Sequence, residues 1–169
     1  MKHILLIILF IATFSGVVKA QPQREDIRIM QSLVAKTKKA IIMQYLTSNS
    51  VNVPGTFWNL YDDYEIHRQG IMEERIQLII EYANVYSKLD ESTAVSLAER
   101  LIENRDRADD LNKLYYKKFK KNLGGLHATA LFQIELYFET AMQADMQAQI
   151  PIIGEMKIIA QQQKATTGL

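Results

Sequence analysis

The stretch RIQLIIEYANVY, residues 75–86, decides how the chain is read. Leu78, Ile79, Tyr82, Val85 and Tyr86 recur at intervals of three and four, the spacing that places side chains on one face of an α-helix. Run backward, the same stripe lands on Arg75. A charge removed from water has to be paired or kept wet, so Arg75 has two readings. In the first it meets Glu135 of the later segment FQIE, with Gln133 or Tyr82 completing the hydrogen bonds; the planar fork of arginine suits a carboxylate. In the second it buries its stem and holds its head at the surface.

Outward from this stretch the helical period continues. Phe57, Leu60, Tyr61, Tyr64, Ile71, Leu78, Tyr82, Val85 and Leu89 form one stripe, which predicts a single helix over residues 57–89, roughly 50 Å long at the usual rise. Arg68 falls on that stripe. Gly70 interrupts it, and a mid-helix glycine costs about 1 kcal/mol against alanine, so a bend or a close helix crossing is expected there. Before it, Ile27, Met30, Leu33, Val34 and Ile41 mark the apolar face of a first helix ending near Leu46, with Arg24, Arg28, Lys36, Lys38 and Lys39 largely off that face. The polar TSNSVNVPG at 47–55 reads as a loop. After residue 89, Asp90 or Ser92 is placed to cap a third helix, carried by Ala94, Ala98, Leu101, Ala108, Leu111, Tyr115 and Phe119 and ended by Gly124 and Gly125. Arg105 lies on its apolar stripe. A fourth helix, with Leu131, Ile134, Phe138 and Met142 inward, runs from about Leu126 to Gln149, where Pro151 closes it. No repeat or strand period is present. The expectation is an all-α, elongated antiparallel bundle of about four helices.

The opening MKHILLIILFIATFSGVVKA combines Lys2, an apolar run over residues 4–18 and short residues before Gln21. That is the layout of a secretory signal peptide, and the run is shorter than the roughly 20 apolar residues of a membrane span. The expected organisation is a signal peptide at 1–20, one helical domain at 21–153 and a flexible tail at 154–169. The protein is thus expected to be exported, periplasmic or extracellular, with no stable membrane span after cleavage. Loss of Lys2 and Lys19 moves the formal charge from +1 to −1, so no global field draws the protein to nucleic acid. Cysteine is absent, which excludes thiol catalysis and thiolate metal sites.

Among the remaining motifs, KLYYKKFKKNL carries the highest local charge: Lys113, Lys117, Lys118, Lys120 and Lys121 interleave with Tyr115, Tyr116 and Phe119. Its bland reading is a solvated face whose charge suits the helix dipole, since Asp90, Glu91, Glu99 and Glu103 stand at the acidic start of the same helix. Its functional reading is a partner surface. Asp63, His67 and Glu74 share one helical face, a loose set for a metal such as zinc, without the tighter His-x-x-x-His pairing. His127 has no neighbouring ligand in sequence. The only glycine pair, in NLGGL, follows a helix and reads as a C-cap rather than a phosphate loop. No nucleophile-and-base set stands out, so no enzyme, cofactor or resident metal is expected.

The motifs FWNLYDDY, RIQLIIEYANVY, LYYKKFKKNL, FQIE and IPII, over about residues 55–153, resemble a family of uncharacterised exported all-helical bacterial proteins. The resemblance rests on Phe57, Trp58, Tyr61, Tyr64, Arg75, Tyr82, Ala83, Tyr115, Phe119, Phe132, Gln133, Ile134 and Glu135. Gly124 and Ala130 stand where that family usually has proline and arginine. At greater distance the chain resembles the Spy/CpxP group of periplasmic helical proteins, although Ser50 replaces the glutamine of that group's Leu-Thr-x-x-Gln motif. These resemblances imply helical hairpins and a chaperone-like or envelope-stress-associated role exercised through surface contacts on a protein client. The alternatives are a regulatory or adaptor protein with one dedicated envelope partner and a metal-responsive binder. A helical chain this elongated exposes surface that a homodimer would bury.

Overall fold

A computed structural model of the chain describes residues 24–147 and 150–167. The segment read as a signal peptide lies outside the described residues. The described chain is all-α: α1 (Arg24–Ser48), α2 (Phe57–Val85), a 3₁₀ turn (Tyr86–Lys88), α3 (Glu91–Gln147) and α4 (Pro151–Thr167). Within α3, Gly124 has φ 76° and ψ 166°. This break divides α3 into two arms, residues 91–123 and 125–147, which correspond to the expected third and fourth helices. The first arm runs antiparallel to α2, Phe57 facing Phe119 and Arg75 facing Asn104. The second arm returns alongside α2, and α1 crosses both at Lys38. Four helical rods therefore form the bundle.

The core concentrates at one end. Ile42 and Leu46 from α1, Phe57, Tyr61 and Tyr64 from α2, Tyr115, Phe119 and Leu123 from the first arm, and Ala128 and Leu131 from the second form one buried cluster. The rings meet at centroid separations of 5.2 Å for Tyr64–Tyr115, 5.6 Å for Tyr64–Phe119 and 5.7 Å for Phe57–Phe119. Such tilted and edge-to-face aromatic contacts add about 0.5–1.5 kcal/mol each beyond the area they bury. Two chain reversals meet at this end, α1 into α2 and the two arms of α3 at Gly124, while the turn from α2 into α3 lies at the other end.

Local chemistry sets the boundaries. At the end of α1, Val51 N–H donates to Leu46 O at 3.0 Å and Ser50 N–H to Thr47 O at 3.0 Å. Ser50 has φ 53°, so it occupies the left-handed position of a Schellman cap, and Val51 packs on the core. At the start of α3, the Asp90 carboxylate accepts from Thr93 N–H at 2.8 Å and from the Thr93 hydroxyl at 3.1 Å, which selects Asp90 over Ser92 as the cap. Those bonds to its charged form hold the Asp90 carboxyl below its usual range.

Four expectations are corrected. The long second helix ends at Val85, and Leu89, at ψ 117°, is already extended. Gly70 is exposed, and a Cβ built there meets nothing within 4 Å, so no helix crosses close to it. Residues 154–167, expected as tail, lie in α4. The inward face of α1 is Ile27, Gln31, Lys38, Ile42 and Leu46, whereas Met30 and Leu33 point to solvent. The last difference arises because α1 carries apolar residues on two opposite sides, so periodicity alone did not decide which side is buried.

Backbone geometry separates two glycines. Gly124→Ala puts a Cβ into a region essentially reserved for glycine and should cost about 1–3 kcal/mol. Gly70→Ala, in open helical backbone, should gain about 1 kcal/mol. Chemical denaturation of the two variants checks both signs.

Candidate functional site

The centre of the bundle holds charge. Lys38 of α1 is 1% exposed and lies on the inward face, four residues before Ile42. Its ammonium approaches Glu135 Oε2 of the second arm at 2.5 Å and Glu65 Oε2 of α2 at 2.7 Å, and stands 5.9 Å from the centre of the Tyr64 ring. Tyr61 donates to Glu135 Oε1 at 2.7 Å, and the Tyr64 hydroxyl lies 3.0 Å from Asn112 Oδ1, its nearer acceptor, and 3.4 Å from Glu135 Oε2. Arg68 donates Nε and Nη2 to Glu65 Oε1 at 3.0 and 2.6 Å. Two cations thus face two carboxylates in the interior, with two phenols as neutral donors.

The proton affinities follow from this arrangement. Burial first, and then the Glu135 charge, push both the Tyr61 and the Tyr64 phenols well above their usual range, so both stay protonated and donate. Burial alone would raise the Glu65 carboxyl, but Arg68 and Lys38 outweigh it and hold it at about 2. Reciprocally, Glu65 overcomes the effect of burial on Arg68 and raises that guanidinium above its ordinary value. A buried ion pair of this kind is weak support for stability and better support for a unique register, because another alignment would leave one of these charges without its counter-charge.

The expected pairing of Arg75 with Glu135 does not form. Glu135 is held by Lys38, Tyr61 and Tyr64, whereas Arg75 donates Nε to Asn104 Oδ1 at 2.9 Å and lies 3.8 Å from Glu139 Oε1. Neither Gln133 nor Tyr82 takes part: Gln133 is exposed and the Tyr82 ring packs against Tyr86 at 5.5 Å. Asn104 is fully buried and also donates to Ile71 O at 2.9 Å. The geometric reason is reach. Glu139 lies one helical turn beyond Glu135 and is the residue of the second arm opposite Arg75, while Glu135 is level with Tyr61 and Glu65. Snorkelling does not describe Arg75 either, since its guanidinium is bonded within the bundle. Arg105, expected on the inward stripe, is exposed.

The basic-aromatic segment is divided by its own helix. Tyr115 and Phe119 are buried in the aromatic core. The Tyr115 hydroxyl donates to Asp63; burial, and then this bond, raise its phenol to about 12. Lys118 lies over the Tyr115 ring at 4.3 Å, Lys113 pairs with Asp110 at 3.0 Å, and Lys117, Lys120 and Lys121 are exposed. The eight residues therefore do not form one surface. Of the looser metal candidates, His67 Nδ1 contacts Asp63 O at 2.7 Å, and the Glu74 carboxylate is taken by Arg107 and Asn104. His127 Nδ1 is 3.1 Å from the Tyr45 hydroxyl.

A different surface is built where the two arms of α3 diverge. A groove of about 540 Å³ is lined from the first arm by Arg105, Asp109, Asn112, Lys113 and Tyr116, and from the second by Thr129, Phe132, Leu136, Glu139, Thr140 and Gln143, with Arg75 at its floor. Tyr116 and Phe132 meet edge to face at 5.9 Å, and the Tyr116 hydroxyl is 3.3 Å from Thr129 Oγ1. Leu136 is 42% exposed. Arg105 makes no ion pair among the described residues. The groove offers apolar side chains, an available guanidinium and an ammonium, with the carboxylates of Asp109 and Glu139 beside them. Only Lys113 and Tyr116 of the expected partner surface line it. The sequence signal for the rest was present in Phe132 and Leu136, spaced four apart and off the buried stripe of Leu131, Glu135 and Phe138.

Compared with protein-family models, curated proteins and solved structures, the chain matches none.

Two tests address the buried charges. Lys38→Met leaves Glu135 without an ion-pair partner and Glu65 with Arg68 alone, and should destabilise by about 3–5 kcal/mol, read by urea denaturation. Glu65 ionises more readily folded than unfolded, so its contribution is full above pH 4.5 and is lost as pH falls toward 2, a span worth roughly 3 kcal/mol. The melting temperature should drop across that window, and Glu65→Gln should flatten the drop.

Proposed function

We propose that the protein is an exported, chaperone-like binding protein that holds segments of client proteins by surface contact and carries out no chemistry. The observation that carries this reading is the groove between the arms of α3. Partly unfolded clients expose apolar side chains, and contact with Phe132, Leu136 and Tyr116 shields them from water. Arg105 and Lys113 add attraction for acidic segments, and charge at the rim of an interface governs encounter more than final affinity. An open cleft with one apolar wall accepts many sequences, whereas a deep pocket selects one ligand. The buried ions and aromatic core behind the groove hold its two walls at fixed separation, so binding requires little ordering of the protein itself.

The test follows aggregation of a denatured model client by light scattering over a range of molar ratios of purified protein. Suppression near equimolar protein is expected. Leu136→Asp and Arg105→Glu should each weaken it several-fold, and Lys120→Glu, outside the groove, should not. If excess protein leaves aggregation unchanged, or if the groove variants suppress as well as the unmodified protein, the client-binding reading fails. Cross-linking to a single saturable partner in the cell envelope would then identify a dedicated adaptor.

A further inference from the structure

Two helix faces in this structure lack a cover, and they share one spacing. On α1, opposite the buried side, residues 29, 33, 36, 40, 43 and 47 alternate steps of four and three, which is the seam of a coiled coil. Ile29, Leu33, Ala40 and Met43 occupy four of these positions and are all exposed, the three larger ones at 51%, 46% and 49%. Lys36 sits mid-seam, exposed and without an ion-pair partner among the described residues. On α4, Ile152, Met156 and Ile159 follow the same steps and are 40%, 58% and 54% exposed, with Glu155 on the flank of that seam.

The surroundings of α4 indicate that its seam needs a partner. Among the described residues α4 packs extensively on no other helix. Its described side-chain bond to the bundle is the one from the Tyr86 hydroxyl to Glu155, at 2.9 Å. A helix of 17 residues held by so little is marginal in water, because helices of this length draw most of their stability from packing an apolar face.

We propose that the α4 seam docks on the outer seam of α1 from a second copy of this chain. Charge selects the occupant. Pairing α1 with α1 would place Lys36 in the same apolar seam as its own symmetry mate, whereas pairing α1 with α4 sets Lys36 beside Glu155. A single lysine within an apolar seam is the device that specifies partner and register in coiled coils. Within its own chain α4 shares no extensive contact with α1, and Glu155 stands against Tyr86 at the end of α2 remote from the core cluster. A two-fold axis makes the α1–α4 contact twice and closes the assembly at a dimer. The contact uses neither wall of the groove between the α3 arms, so it stands apart from the client-binding reading.

The full protein contains no cysteine, which makes cross-linking clean. Protein carrying Lys36→Cys, mixed with protein carrying Met156→Cys and oxidised, should give the mixed disulfide as the main product, since the two positions are level in either helix orientation. Light scattering of the unmodified protein should return twice the chain mass. Lys36→Glu and Glu155→Lys should each raise the dissociation constant about tenfold, and the double reversal should restore it. Leu33→Asp, exposed in the single chain, should dissociate the dimer with helix content unchanged. A monomer at every concentration, Lys36→Cys protein cross-linking chiefly to itself, or single reversals without effect would each overturn the proposal.

Discussion

Lys38 between Glu65 and Glu135 is the constraint on which the remaining structure depends. Three helical segments that are distant in sequence meet at one ammonium. Tyr61 donates to Glu135 and Arg68 to Glu65 Oε1, while Glu65 Oε2 keeps the ammonium's charge but no hydrogen bond among the described residues. Replacing such a set by apolar residues often leaves stability unchanged or higher, so its value lies in alignment. A slip of one turn in any of the three segments would leave a charge stranded in the core. The aromatic cluster beside it has no comparable discrimination, because rings and aliphatic chains tolerate small displacements.

The groove is a by-product of that alignment and of Gly124. The aromatic cluster clamps the two arms of α3 where they join, and Lys38 ties the second arm to α1 and α2 at Glu135. Farther along, Arg75 is hydrogen-bonded to Asn104 on the first arm and lies 3.8 Å from Glu139 on the second, so the floor faces a partner on each arm. The walls between these ties are held apart by residues that belong to the core, and Leu136 and Arg105 are free to meet solvent. Rigid scaffold and available surface thus lie within one helical turn of each other.

Much of the fold was legible because the helical period in α2 and α3 has one buried face. The breaks at TSNSVNVPG, at Asp90 and at Gly124 carry direct chemical signals. The face of α1 was misread because two apolar stripes compete, and Lys38 was counted among solvated lysines although it shares a stripe with Ile27 and Ile42. Glu65, one residue past Tyr64, was overlooked for the same reason: a charge on a buried face looks like an edge residue until its partners are known. Arg75 was correctly marked as a charge that needs an answer, but sequence period fixes angle around a helix and not height along a neighbouring one. Choosing between Glu135 and Glu139 required the second arm's height beside α2. The segment from Lys113 to Lys121 failed as a surface because Tyr115 and Phe119, spaced four apart, belong to the interior.

The Lys38 ammonium also has a meaning for assembly. Helical bundles that gather carboxylates from facing helices commonly place a metal ion among them. Here the counter-ion of Glu65 and Glu135 is tethered to the chain. It arrives with α1 at a fixed stoichiometry and is not lost on dilution. Until α1 is in place Glu135 lacks this counter-charge and Glu65 has Arg68 alone. Docking of the first helix and closure of the interior are consequently one event, and partial structures without α1 carry an electrostatic penalty that the complete bundle does not.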